Sequence, residues 1–367
     1  MTGLTPGEAR GWAARLLLAE DARWVGDIVL SAAADEQSQA YPALLLGHHF
    51  VRIVYEGSQA LQSAKPEVGW PQLASMLQHE YGAVTSRVRH MSKLLDDTNR
   101  SYDQVLAEMQ EAKAVSHRAL TGKAHPWVRW AETDLGLYMI ERSVVGASTP
   151  MAYRLALDPG ELERVAGEDL HAVTPEWGST LAVLAAAAPD AWEMRPTLAL
   201  DAHIKYKDRL ASRYLKNRYE PDFDDAEKLL LLMIEADFNT NRLYLPRTQP
   251  GHEGPCLRAR IVTTYHSLKA LRRILDRHPG LDTAGTRSIR GILADPAAKR
   301  LCSRDGKMVR NRSVHYQMDD PSIIPDFNKP MFGIIEAVAP SFTWETLDTD
   351  LRSVEDQLAD ALGSWGK

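Results

Sequence analysis

Leu347-Asp348-Thr349-Asp350-Leu351-Arg352-Ser353-Val354-Glu355-Asp356-Gln357-Leu358-Ala359-Asp360-Ala361 sets Leu347, Leu351, Val354, Leu358 and Ala361 three or four residues apart. On a helix of 3.6 residues per turn that spacing makes one apolar stripe with acidic residues around it. The same period recurs along the chain. Thr5-Pro6-Gly7-Glu8 is a capping box with proline in the first turn, opening a helix through Leu16, Leu17 and Trp24. Residues 41–63 read as a mostly buried helix. Ser101-Tyr102-Asp103-Gln104 opens another, with Tyr102, Val105, Met109 and Ala112 on one face and an end near Gly122. Thr174-Pro175-Glu176 reads as a helix start, Asp224-Asp225-Ala226-Glu227 as a cap ahead of Leu229 to Ile234, and residues 257–277 as a basic helix. Convincing strand alternation is absent, so the expected class is all-α, built from helical-bundle domains. Gly146-Ala147-Ser148-Thr149-Pro150 is the candidate linker. The expected division is an N-terminal helical domain over 1–149 that regulates or dimerises, a helical connector over 150–202, and a C-terminal bundle of four to five helices over 203–367.

The 367 residues are 44% hydrophobic and 25% charged, which excludes disorder as the main state. Two cysteines, Cys256 and Cys302, cannot staple a chain of this length and point to a reducing compartment. The apolar run Leu181 to Ala188 is too short to span a bilayer. The opening residues, with Glu8, Glu20 and Asp21, lack a secretion signal. The expectation is a cytoplasmic protein with no membrane association. Net charge is −6, unevenly placed: −3 over residues 1–149, −6 over 150–202, +10 over 203–312 and −7 over 313–367. A basic block attracts polyanions. Charge alone favours the plainer reading, in which the block pairs with the acidic flanks of its own chain.

Nucleophile elbows, phosphate-cradling loops, dinucleotide fingerprints and paired-cysteine zinc motifs are missing. A di-iron bundle needs two Glu-x-x-His pairs, and only Glu168-x-x-His171 fits. Asp96-Asp97 begins an aspartate-rich magnesium motif, but position 100 is arginine. No metal and no cofactor are therefore expected, and a metal-dependent all-α small-molecule enzyme is the third-ranked reading.

Met308-Val309-Arg310-Asn311-Arg312-Ser313-Val314-His315-Tyr316 resembles the arginine–asparagine…histidine signature of the HEPN superfamily: Arg, four to six residues, then His, often with Asn directly after Arg. Arg-to-His spacings of this kind recur at other histidines here. Asn311, the apolar Met308-Val309 lead-in and the flanking Val314 and Tyr316 set His315 apart. The resemblance implies a small all-α domain over 203–367. It further implies a metal-independent ribonuclease working on RNA, with two motifs meeting at a homodimer interface. It suggests a toxin or antiviral (phage-defence) effector, a setting in which a protein regulator or antitoxin fits.

The residue types suit that chemistry. Histidine takes or gives a proton near neutral pH. Arginine stays charged and donates a fork of hydrogen bonds to phosphate. Asn311 and His315, four apart, share a helix face. Arg310 and His315, five apart, lie about 140° apart around a regular helix. Their heads meet only through arginine's reach, an irregular helix start or a second subunit. Arg310, Asn311 and His315 are thus the catalytic candidates. Asp319 is placed to orient the imidazole, and Tyr316 is a support or core residue. Arg272, Arg273 and Arg312 are candidates for holding RNA. The motif is expected in a groove that a phosphodiester can enter. The rival reading keeps the HEPN-like fold as a non-catalytic module binding RNA, a nucleotide or a protein.

Overall fold

The structure is a computed structural model that describes residues 3–34, 41–63, 70–77, 82–96, 99–122, 132–155, 168–195, 197, 204–316, 318 and 320–365. Fifteen α-helices and one small sheet are present among them. The first five helices are α1 (Pro6–Ala33), α2 (Tyr41–Ser63), α3 (Trp70–Ala74), α4 (Gly82–Met91) and α5 (Tyr102–Leu120). Strands β1 (Leu135–Ile140) and β2 (Ser143–Ala147) follow, then α6 (Ser148–Arg154) and α7 (Glu168–Ala185). Strand β3 (Ile204–Arg209) and α8 (Ala211–Lys216) lead into α9 (Asp225–Asn239) and α10 (Glu253–Arg277). The chain closes with α11 (Ala284–Ala294), α12 (Pro296–Leu301), α13 (Arg304–Val314), α14 (Ile334–Val338) and α15 (Trp344–Ser364).

The local signals act where the sequence places them. Thr5 with Glu8, Ser101 with Gln104 and Asp224 with Glu227 each form a complete capping box, satisfying donors that a helix start leaves free. Thr174-Pro175-Glu176 behaves differently. It lies inside α7, which begins at Glu168, so Pro175 interrupts a helix instead of starting one. The helix continues because Thr180, Val183 and Leu184 beyond the proline are buried.

The sheet is the main departure from the expected pattern. Its order is β2-β1-β3, antiparallel throughout. The turn between β1 and β2 is Glu141-Arg142, with Glu141 at φ 56°, instead of the asparagine–glycine pair that marks a tight hairpin. Residues 146–150 are no exposed linker. Gly146 and Ala147 end β2, Thr149 and Pro150 start α6, and all four are buried. The outer edge of β2 is sealed by the end of α9, where Asn239 Nδ2 donates to the Val144 carbonyl at 3.0 Å and Thr240 Oγ1 to Val145 at 2.8 Å.

One apolar core runs from Ala13 on α1 to Trp365 after α15, drawing on residues from all three sequence segments. Buried charge is set into it. Asp21 on α1 is fully buried and accepts from Arg258 on α10 through Nε at 2.9 Å and Nη2 at 2.6 Å. Its other oxygen accepts from Arg52 Nη2 on α2 at 3.3 Å and from the Tyr316 hydroxyl. Arg52 also donates to the Ser313 carbonyl at 2.9 Å. Four distant segments therefore meet on one carboxylate. Much of the basic block is consumed in such pairs. Arg260 binds Glu355 and Asp348, Arg242 binds Asp360, and Arg300 binds Asp350, all on acidic α15.

Asp21→Ala leaves two buried arginines without their shared carboxylate and is expected to cost about 3–5 kcal/mol. Tyr316→Phe removes one hydroxyl and is expected to cost roughly 1–3 kcal/mol. Equilibrium urea unfolding of both variants checks the ranking.

Candidate functional site: a half-exposed histidine on a buried carboxylate

Helix α13 is launched by Ser303, whose hydroxyl accepts the Gly306 N–H at 3.2 Å. Gly306 lies so close to the end of α12 that a Cβ there would sit 2.0 Å from the Leu301 carbonyl oxygen, so only glycine fits. The helix stops at Val314. His315 is extended (φ −99°, ψ 124°), with its N–H on the Asn311 carbonyl at 2.9 Å. Leaving the helix sends successive side chains to opposite sides. Tyr316 turns into the core and is 2% exposed, while the His315 side chain is 51% exposed.

Glu56, buried on α2, accepts from His315 Nδ1 at 2.7 Å through one oxygen and from Arg89 Nε on α4 at 2.7 Å through the other. Burial pushes the Glu56 carboxyl up, but the His315 hydrogen bond and the Arg89 charge outweigh it and hold it below the usual range. An ionised carboxylate only accepts, so Nδ1 carries the proton and the lone pair of Nε2 is left to take another. An open groove of about 300 Å³ surrounds this pair, completed by Tyr55, Gln59, His90 and Lys93. Arg89, paired with Glu56, and Lys93, whose Nζ lies 3.3 Å from His90 Nδ1, are the basic side chains that line it.

The structure does not bring Arg310 to this groove. Its guanidinium binds Asp96 at 3.1 Å and lies 4.7 Å above the centre of the Tyr265 ring. Arg310 lies within α13 and His315 just beyond its end, and the two have different partners. Asn311 is half-buried beside them. Arg312 lies 4.0 Å from Asp320. Arg272 donates to the Leu293 carbonyl at 3.3 Å, and Arg273 to that of Leu95. Asp319 and Asp97 fall outside the described residues, as does the side chain of His171. The groove residues that sequence reasoning missed are Glu56, Arg89, His90 and Lys93. Faint signals existed: Glu56 and Arg52 are the only charges in residues 41–63, and Arg87-Val88-Arg89-His90 concentrates cations beside a histidine.

A larger cavity of about 950 Å³ opens between α1, residues 188–195 and the start of α10. Within it Arg23 pairs with Asp190 and His252 with Asp27, both at 2.8 Å. Among the described residues no three His, Cys, Asp or Glu side chains are grouped to hold a metal ion, and no helix is long and apolar enough to cross a membrane. The chain matches no family model, no curated protein and no solved structure.

Behind Arg89 lie three more histidines. Burial, reinforced by Arg52 and Arg154, holds His48 and His49 well below their ordinary range, and burial lowers His266 to about 4. All three are neutral in the folded state near neutral pH. Unfolding frees them to bind protons below about pH 6.5, so the unfolded chain holds more protons and stability falls as pH drops. Each histidine contributes up to about 1.4 kcal/mol per pH unit in that window. Thermal midpoints are expected to fall from about pH 7 to about pH 5, and His266→Phe to flatten that slope.

Proposed function

We propose that the groove at His315 is the active site of a metal-independent endoribonuclease of the HEPN kind, cleaving RNA through attack of its own 2′-hydroxyl. The observation that carries this reading is the His315–Glu56 pair: a half-exposed imidazole, its tautomer set by a buried carboxylate, in a groove that Arg89 and Lys93 also line. His315 Nε2 takes the proton of the 2′-hydroxyl as that oxygen attacks phosphorus. The P–O5′ bond breaks, and the 5′ oxygen takes a proton from an acid. That acid is His90 in the same groove, or His315 of a second copy across the dimer that the resemblance implies. Arg89 supplies positive charge beside the imidazole as negative charge grows on the phosphoryl oxygens. A toxin or antiviral role, with a regulator or antitoxin, follows from the same resemblance, and a cytoplasmic setting from the two cysteines and the short apolar runs of the sequence.

A second reading has its own support. Arg310 is engaged by Asp96 and Tyr265 in this single chain, away from His315. That arrangement suits a non-catalytic module which binds RNA, a nucleotide or a protein through the same groove.

Two variants separate the readings. His315→Ala is expected to lower RNA cleavage by about 10²–10⁴ while far-UV circular dichroism and RNA affinity are largely kept, since affinity comes mainly from phosphate contacts. Glu56→Gln is expected to lower cleavage less, because it misorients the imidazole without removing it. Cleavage is expected to persist in a chelator. Equal cleavage by wild type and His315→Ala rejects the ribonuclease.

A further inference from the structure

A second, smaller cavity lies on the far side of Arg89. It is walled by His48, His49 and Arg52 of α2, Arg154 of α6, and Thr263 and His266 of α10. Every one of those side chains is buried. Buried polar atoms in folded proteins nearly always have partners. Here five nitrogens have none among the described residues: His48 Nε2, His49 Nδ1, Arg52 Nε, Arg154 Nε and His266 Nε2. Arg52 and Arg154 Nε–H are unmet donors and each imidazole nitrogen is a donor or an acceptor by tautomer, so the space calls for an occupant.

The charges give its sign. Arg52, Arg89 and Arg154 line the cavity with one carboxylate, Asp237, which Arg154 grips through two bonds of 2.6 Å, while Arg89 is matched from outside it by Glu56. Asp21, the partner of Arg52, is shared with Arg258, which Glu20 also binds at 3.3 Å. The three imidazoles add no opposing charge; His48 and His49 can each turn an N–H inward by choice of tautomer, while His266 Nδ1 lies 3.2 Å from Asp96 Oδ2. His49 Nε2 already contacts Thr263 Oγ1 at 3.2 Å, leaving Nδ1 as its remaining partner-seeking atom. A cation would meet arginines. The size is equally restrictive. The cavity leaves about 10 Å³ for the centre of a water-sized sphere, which is room for one occupant. A tetrahedral oxyanion is too large.

We infer that this cavity is a binding site for a single monatomic anion of the halide class, held by the Arg52 and Arg154 Nε–H groups and by imidazole N–H donors. The site is separate from the groove at His315, with which it shares only Arg89, and its test does not depend on any enzymatic activity.

Bromide is the probe. The full chain is melted in sodium bromide and in sodium gluconate at matched ionic strength, and crystals grown in bromide are measured at the bromine absorption edge. The expected result is a saturable rise in melting temperature on the order of 2 °C. An anomalous peak is expected within hydrogen-bond reach of His48 Nε2 and Arg52 Nε. Inorganic phosphate is expected to give no saturable rise. His48→Leu removes one donor without adding charge and is expected to weaken the bromide response about tenfold. A melting curve blind to bromide, an ordered water in place of the anomalous peak, a response to phosphate equal to that of bromide, or an unaltered response in His48→Leu overturns the assignment. Should that variant not fold, the wild-type anomalous map decides alone.

Discussion

A carboxylate buried at 0% exposure among apolar side chains cannot stand without compensation. Asp21 is compensated from α2, from α10 and from the residue that follows the motif histidine. That requirement fixes relative positions more sharply than apolar contact does, since hydrogen bonds have direction and hydrophobic burial has none. Arg52 extends the constraint by gripping the Ser313 carbonyl in the last turn of α13. A slip of α13 by one residue would break both links. The place where α13 ends, and hence the side to which His315 emerges, is set by a charge buried nearly three hundred residues earlier in sequence. Whether such a network adds net stability over an apolar core is a separate matter. Here its evident effect is geometric.

The candidate site depends on that geometry. Tyr316 turns inward to reach Asp21, so the extended backbone turns His315 outward onto the Glu56 carboxylate. Glu56 in turn holds Arg89. The groove thus joins α4 to the end of α13. Around it, the charge asymmetry of the sequence resolves into pairing: arginines from residues 203–312 find their carboxylates on α15. The basic side chains near His315, Arg89 and Lys93, come from α4 and the turn after it, outside the basic block.

Legibility in the sequence followed the range of the interaction. Capping boxes at Thr5, Ser101 and Asp224 involve residues three apart, so they could be read directly, and the helices start there. The sheet could not. Strand β3 pairs with β1 across some sixty residues, and neither shows clean alternation, because Leu135, Gly136 and Leu137 are buried in succession. Pro175 misled because a local breaker rule was overridden by burial further along the same helix. At the site, the motif drew attention to His315. Its partner Glu56 was hidden, since nothing short of the folded core says that a lone glutamate on α2 will face the end of α13. By sequence, Arg310 meets His315 only through its reach, an irregular helix start or a second subunit; in this chain it binds Asp96 instead.

The bond between Glu56 and His315 spans 259 positions of the chain. At ribosomal rates of 5–20 residues per second, the carboxylate waits roughly 13–50 s for its histidine to be made. Throughout that interval the nascent chain holds Glu56, Arg89 and His90 but not the imidazole that pairs with the carboxylate. The centre is therefore completed only once His315 is made, so a chain stopped before it lacks its central side chain.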